Sequence, residues 1–360
     1  MKLTYEPITL NLRTTFRIAH GASDQRHNVV VRLDEGLGEG AGVAYLGETQ
    51  AGIIEYLGRL ADSLGDDPFQ IDEILARLPE DSRAARAAVD IALHDLWAKR
   101  IGQPLYRLLG LSPARIPPTS LTIAIDEPAL MAERARASGA SHIKIKLGSP
   151  DDEAIVAAIR AATGARLRVD ANAGWTREQA ARLIPRLAQY DLELVEQPLP
   201  IGDVEGLRDL RRDIRAQGVS LPIIADESVK TSRDVAAHAG AADGVVIKLM
   251  KTGGIREALR AIHAARALDM QVMIGCMIET SIGVTAAELR TGPAAVPAGW
   301  GGGASCAGGG WGPDLQAATM AATAAIRLAG SHQGRLARWR MWSGFRDMVY
   351  VATLRRSLGV

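Results

Sequence analysis

The 360 residues suffice for one barrel plus a smaller domain, and the near-even balance of 42 basic and 41 acidic residues offers no field for nucleic acid. With 47% hydrophobic and 23% charged residues the composition is that of a folded globular chain, for which small-molecule chemistry is the default. Cys276 and Cys306 form no CxxC pair, which argues against a zinc site or disulfide framework and for a reducing cytoplasm. The opening MKLTYEPITLNLRTTF alternates apolar and polar residues, and no run of about 18 apolar residues follows, so neither export nor membrane insertion is expected.

Residues 1 to about 60 read as antiparallel strands: alternation in LTYEPITLNL, a loop around His20 and Gly21, then the β-branched run Val29-Val30-Val31 and a Gly-rich turn. From Gln70 to Leu109 the pattern turns helical, with Val89, Leu93, Leu96 and Trp97 at helical spacing, and it stops at Gly110 before Pro117-Pro118. An α+β domain is therefore expected over residues 1–115.

Over residues 116–290, seven β-like runs alternate with Ala/Arg/Leu helical stretches: TSLTIAI, HIKIKLG, LRVDANAG, LELVEQPL, PIIADES, GVVIKLM and QVMIGCMIET. Their cadence suits βα units of a parallel barrel, and equally a doubly wound open sheet. The polar residues decide for the barrel. Lys144, Lys146, Asp170, Glu196, Asp226 and Lys248 fall within or at the ends of five consecutive runs, where barrel enzymes place catalytic groups.

Lys144 and Lys146 are two apart, so both should point into the barrel while Ile143, Ile145 and Leu147 face outward. Asp170, Glu196 and Asp226 come one from each of three successive strands. Converging carboxylates repel unless a cation joins them, and an all-oxygen set suits Mg²⁺ or Mn²⁺. Each acid by itself could equally be a helix cap. Lys146 and Lys248, four strands apart, then face each other across the metal as two acid/bases, with Lys144 and the metal favouring the neutral amine. The chemistry implied is removal of a proton α to a carboxylate, with the enediolate charge offset by the cation and Lys144, and reprotonation from the opposite side.

The set KIKLG at 144–148, VDANAGWT from 169, VEQPLP from 195, ADES from 225 and IKLMKTGGI from 247 resembles the enolase superfamily, specifically its muconate-lactonizing subgroup. The resemblance spans residues 1 to about 288 and implies a modified (β/α)7β TIM barrel with an N-terminal α+β capping domain. FRIAHG and IKLMKTGGI look most like dipeptide epimerases, which act on L-Ala-D/L-Glu and related dipeptides. In that resemblance Asn172 would order the metal's surroundings, Met277 and Glu279 would line the pocket, and His20 and Arg26, in a capping loop, would meet a substrate carboxylate. Lys251 is the rival of Lys248 but is expected in the KTGG turn. The same machinery would also serve N-succinylamino acid racemisation, o-succinylbenzoate synthesis or muconate cycloisomerisation. A Schiff-base aldolase and a non-catalytic ligand-binding protein are the readings from other classes. A homo-oligomer is common in the subgroup.

The chain then departs from this pattern. Dipeptide epimerases carry a D-x-D motif for the substrate ammonium on an eighth strand, and none follows Glu279 here. Residues 291–360 are Gly/Arg-rich, with Trp300 and Trp311 and only Asp314 and Asp347 acidic, as a shift of reading frame near residue 289 would produce. An eighth strand is therefore in question, and its loss would leave a seam between strands seven and one.

Overall fold

A computed structural model describes residues 1–60, 63–112 and 117–288, all within one compact unit. The chain opens as an antiparallel meander of β1 (Leu3–Ile18), β2 (Gly21–Leu33) and β3 (Gly36–Ala41). Ile18 faces Gly21, so the expected loop is only a hairpin tip of Ala19 and His20. Arg26 is not in that loop: it lies inside β2 opposite Leu10, because a register shift between Asn11 and Phe16 absorbs the irregular stretch and lets pairing continue.

Helices α1 (Gln50–Gly58), α2 (Ile71–Arg77), α3 (Arg83–Ile101) and α4 (Leu105–Leu108) follow. α1 lies where strand was expected, started by the Thr49 side chain accepting the Gly52 amide. The run from 70 to 109 divides into three helices: Pro79 cannot donate to a helix ladder, Ser82 caps α3, and Gly102 at φ +71° ends it in the left-handed region. α3 rests directly on β3. A side chain at Gly38 would meet the Ala88 carbonyl at 1.9 Å, so the glycines of this strand are the price of that closeness. Val29, Val31, Leu33, Ile53, Tyr56, Leu93 and Leu96 form the core of this cap.

Seven parallel strands follow, in sheet order identical to chain order: β4 (Leu121–Ile123), β5 (His142–Lys146), β6 (Arg166–Asp170), β7 (Leu192–Glu196), β8 (Ile223–Ala225), β9 (Gly244–Ile247) and β10 (Gln271–Ile274). The helices between and after them are α5 (Pro128–Ser138), α6 (Asp152–Ala162), α7 (Arg177–Leu187), α8 (Val204–Ala216), α9 (Ser232–Ala237), the single turn α10 (Leu249–Thr252), α11 (Ile255–Ala267) and α12 (Ser281–Glu288). Ile143, Ile145, Leu147, Leu167, Val169, Val195, Val245 and Ile247 face this helical layer, all but inaccessible to solvent. Each such side chain contributes about 1.5–3 kcal/mol by burial.

The sheet is curled. Strands sit about 4.8 Å apart, so β6 and β10 would be about 19 Å apart if flat; yet Arg168 Nη1 lies 4.0 Å from Met273 Sδ. Leu194, Ile224, Val246 and Met273 pack together inside the curl. This is a mixed α/β architecture, an antiparallel cap plus a seven-stranded parallel half-barrel of the modified TIM type. No helix among the described residues is long and apolar enough to cross a membrane. The eighth strand, the Gly-rich and Arg-rich segment and the frame change expected from residue 289 onward lie outside the described residues.

Two buried carboxylates fasten the cap to the barrel. Asp90 on α3 accepts the Ile255 amide at 2.6 Å and that of Arg256 at 3.3 Å, capping α11. Gly254 makes room, since a side chain there would meet Asp90 Cβ at 2.4 Å. Glu39 on β3 accepts the amides of Thr280 and Gly283 at 2.9 and 3.2 Å at the start of α12, and the Asn28 amide at 2.8 Å.

Candidate active site

The strand ends of β5 to β9 bring the sequence-predicted charged residues to one rim. Asp170 ends β6, Glu196 ends β7, Asp226 follows β8, and all three are fully buried. One oxygen of each lies within 4.8 Å of the others. At that range like charges repel by about 3 kcal/mol per pair at an effective dielectric near 20, so cations must balance them.

Lysines supply part of that balance. Lys144 Nζ lies 2.6 Å from Glu196 Oε1 and 2.8 Å from Asp170 Oδ2, and Lys146 Nζ lies 2.7 Å from the same Asp170 oxygen. On the other side, Lys248 Nζ donates to Asp226 Oδ2 at 2.5 Å. Burial raises the Asp170 and Asp226 carboxyls, but the lysines outweigh it and hold both below their ordinary range: Lys144 and Lys146 for Asp170, Lys248 and Lys251 for Asp226. Glu196 differs. Burial and then Asp170 push it well above its ordinary value, Lys144 only partly opposing, and its Oε2 is buried with no hydrogen-bond partner. A hard divalent cation among three oxygen donors would satisfy that orphaned atom, so the residues fit such an ion.

Burial works against the ammonium of Lys248, but Asp226, then Glu227 and Tyr45, hold its pKa well above the ordinary value. Among the protein groups alone the carboxylate field is the larger one at Lys248. Lys144 is likewise raised, Asp170 and Glu196 outweighing burial.

The backbone turns sharply just past two of the acids. Asn172, Ala173 and Gln197 adopt φ of +45°, +59° and +37°, a left-handed conformation that costs a non-glycine residue about 1–2 kcal/mol. β6 ends before Asn172, which donates its backbone N–H to Asp170 Oδ1 at 2.9 Å and its side-chain amide to Glu227 at 3.0 Å. Gln197, unremarked in the sequence, accepts the Asp226 amide at 2.8 Å and donates to Leu199 O and Ser228 Oγ, tying the loops after β7 and β8 together. Asp152 accepts from Gly148, Ser149 and Trp175 and so shapes the loop after β5.

Lys251 lies in the single turn α10 ahead of Gly253, as expected, and is fully enclosed there, its Nζ 2.6 Å from Asp226 Oδ1. Met277 and Glu279 follow β10; the Met277 amide donates to Glu279 Oε1 at 2.6 Å, and Glu279 is pushed up to about 8 by burial and by Glu39. From the cap, Ala19 at the hairpin tip seats against Gly148 and Gly174, where an added side-chain carbon would lie 2.5 and 2.8 Å from it. His20 stacks on Tyr45, ring centroids 5.9 Å apart. Burial lowers the Arg26 guanidinium and Tyr45 partly offsets this.

A parallel half-barrel holding three buried acids between lysines at its strand ends defines a metal-assisted proton-transfer site. Residues 4–110 match the mandelate racemase / muconate lactonizing enzyme N-terminal domain, and residues 128–301 match the enolase C-terminal domain-like family. The chain is 39% identical over 299 residues to an L-Ala-D/L-Glu epimerase of Bacteroides thetaiotaomicron, covering 80% of this chain and 76% of that one. It is similar to the crystal structure of a dipeptide epimerase from Enterococcus faecalis complexed with Mg and L-Leu-L-Tyr, with TM-score 0.75, 37% identity and coverage of 80% and 86%. An N-succinyl Arg/Lys racemase from Bacillus cereus is also similar, with TM-score 0.73, 29% identity and coverage of 80% and 84%. The chain belongs to the mandelate racemase / muconate lactonizing family of the enolase superfamily.

Proposed function

We propose that the chain is a Mg²⁺-dependent epimerase of dipeptides that acts on the carbon α to the terminal carboxylate. The observation that carries this is the trio of buried acids within 4.8 Å, with Lys146 on one side and Lys248 on the other. Greater identity to the dipeptide epimerases than to the racemase favours a dipeptide over an N-succinyl amino acid.

In this reading Asp170, Glu196 and Asp226 hold the cation, which when bound supplies positive charge beside the substrate carboxylate. Lys144 adds a fixed ammonium on the β5 side. Lys146 and Lys248 move the proton. For one epimer the amine form of one lysine takes the α proton from its face, and the ammonium of the other returns a proton to the opposite face, inverting the centre; for the other epimer the roles exchange. Asn172 keeps Asp170 in place, while Arg26, Met277 and Glu279 border the substrate.

The test is incubation of the chain with Mg²⁺ in D₂O, following the α proton by NMR. Exchange and epimerisation of L-Ala-L-Glu or L-Leu-L-Tyr at the C-terminal residue, lost with EDTA, is the expected result. Exchange confined to N-succinyl amino acids would overturn the dipeptide assignment.

A further inference from the structure

Lys251 has no task in the reaction just described, yet its side chain is completely inaccessible to solvent. An ammonium has three N–H donors. Here three protein oxygens take them: Asp226 Oδ1 at 2.6 Å, the Asp226 carbonyl, and the Val246 carbonyl at 3.1 Å. With every donor committed, Lys251 cannot turn toward a substrate. It lies one helical turn beyond Lys248 on α10, so the two lysines grip the two oxygens of one carboxylate, Lys248 holding Oδ2 and Lys251 holding Oδ1. The turn that sets their spacing is itself locked, the Lys251 amide bonding Lys248 O at 3.0 Å and Thr252 Oγ1 bonding Gly254 O at 3.0 Å.

We propose that Lys251 is a positioning residue for the metal site: by clamping Oδ1 and the backbone of Asp226 it fixes the orientation in which this acid meets the cation, and so sets cation affinity. This rests on the reading that Asp170, Glu196 and Asp226 hold a divalent ion. Two effects of Lys251 oppose each other. Its charge repels a cation on Asp226, so removing it on electrostatic grounds alone would tighten binding. Its clamp removes the rotational freedom of the carboxylate, so removing it on positional grounds loosens binding, and groups that orient metal ligands typically matter by about 10- to 100-fold in affinity. The three-point grip places Lys251 in the second case.

Calorimetric titration of the full chain with Mg²⁺ alone separates the two signs. Lys251→Met, its fold checked by circular dichroism, is expected to raise the Mg²⁺ Kd at least about tenfold, with the Mg²⁺ concentration for half-maximal activity rising in step. Lys251→Arg keeps the charge but not the three-way contact, its guanidinium being a planar fork, and is expected to weaken Mg²⁺ by at least about threefold. Unchanged or tighter Mg²⁺ binding by folded Lys251→Met overturns the proposal; should that variant not fold, the same outcome in Lys251→Arg overturns it. A wild-type chain that takes up no Mg²⁺ removes the metal reading and this proposal with it, whereas wild-type uptake with unaltered variants removes this proposal alone.

Discussion

Both ends of the barrel strands carry charges on the inner face, and the two ends treat them differently. At the N-terminal end, Arg168 donates to Glu193 at 2.7 Å and to Ser120 at 2.9 Å, and Arg166 meets the other oxygen of Glu193 at 2.9 Å. Both oxygens of the acid are taken. At the C-terminal rim, Glu196 and Glu279 each keep one buried oxygen without a partner, while Lys248 reaches Asp226 Oδ2 at 2.5 Å. A polar layer that closes on itself is architecture; one left open is chemistry waiting for a further component.

The contrast is breakable. The largest expected effect is at the rim: Lys146→Ala and Lys248→Ala should each lower epimerisation by about 10³-fold, equivalent to about 4 kcal/mol, with circular dichroism unchanged. Each should retain α-proton exchange on one stereoisomer only, and equal residual exchange from both would contradict the two-sided arrangement. Next comes the floor. Arg168→Met strands Glu193 beside Arg166 alone and should cost about 3 kcal/mol in urea unfolding while turnover per folded molecule stays within about threefold. A turnover collapse without loss of stability would erase the distinction between the ends. At the junction with the cap, Asp90→Ala uncaps α11 and should cost about 2 kcal/mol.

The rim also sets a pH slope. Glu279, pushed up to about 8 by burial and Glu39, keeps its proton in the folded chain over a range where the unfolded chain, near its ordinary value of about 4.3, has lost it. The folded state therefore binds the extra proton between these values. Stability from this group is complete below about pH 4.3 and is lost as pH rises through about 8. Glu279→Gln, which cannot ionise, should flatten that decline between pH 5 and pH 9. Parallel stability curves would show that the open oxygen carries no charge penalty.

Much of the rim was legible because alternation in a strand and charge at its end are local properties: HIKIK and RLRVD point as their spacing requires, and the three acids meet as expected. What escaped depended on distant or irregular geometry. Lys251 follows the strand, and only the turn α10 swings it back beneath Asp226. LELVE should place Leu192, Leu194 and Glu196 on one face, but a register shift in the β6–β7 pairing breaks the alternation, so that Leu192 packs outside and Leu194 inside. Gln197 acts through four bonds that a sequence does not display. α1 carries Gly52, Ile53 and Ile54, a composition poor for helix, and its identity came from packing against β2 and α3.

The carboxylates of Asp90 and Glu39 also impose an order on assembly. Their backbone amide partners lie 165 residues and 241 or more residues further along the chain. During synthesis the meander and α3 leave the ribosome first, yet two of their buried acids lack the helix-start amides they cap until Ile255, Thr280 and Gly283 have followed. The N-terminal layer is thus made early and finished late: its final docking waits on ring closures that span most of the described chain, and a nascent fragment ending before residue 255 would carry both acids without the helix starts that receive them.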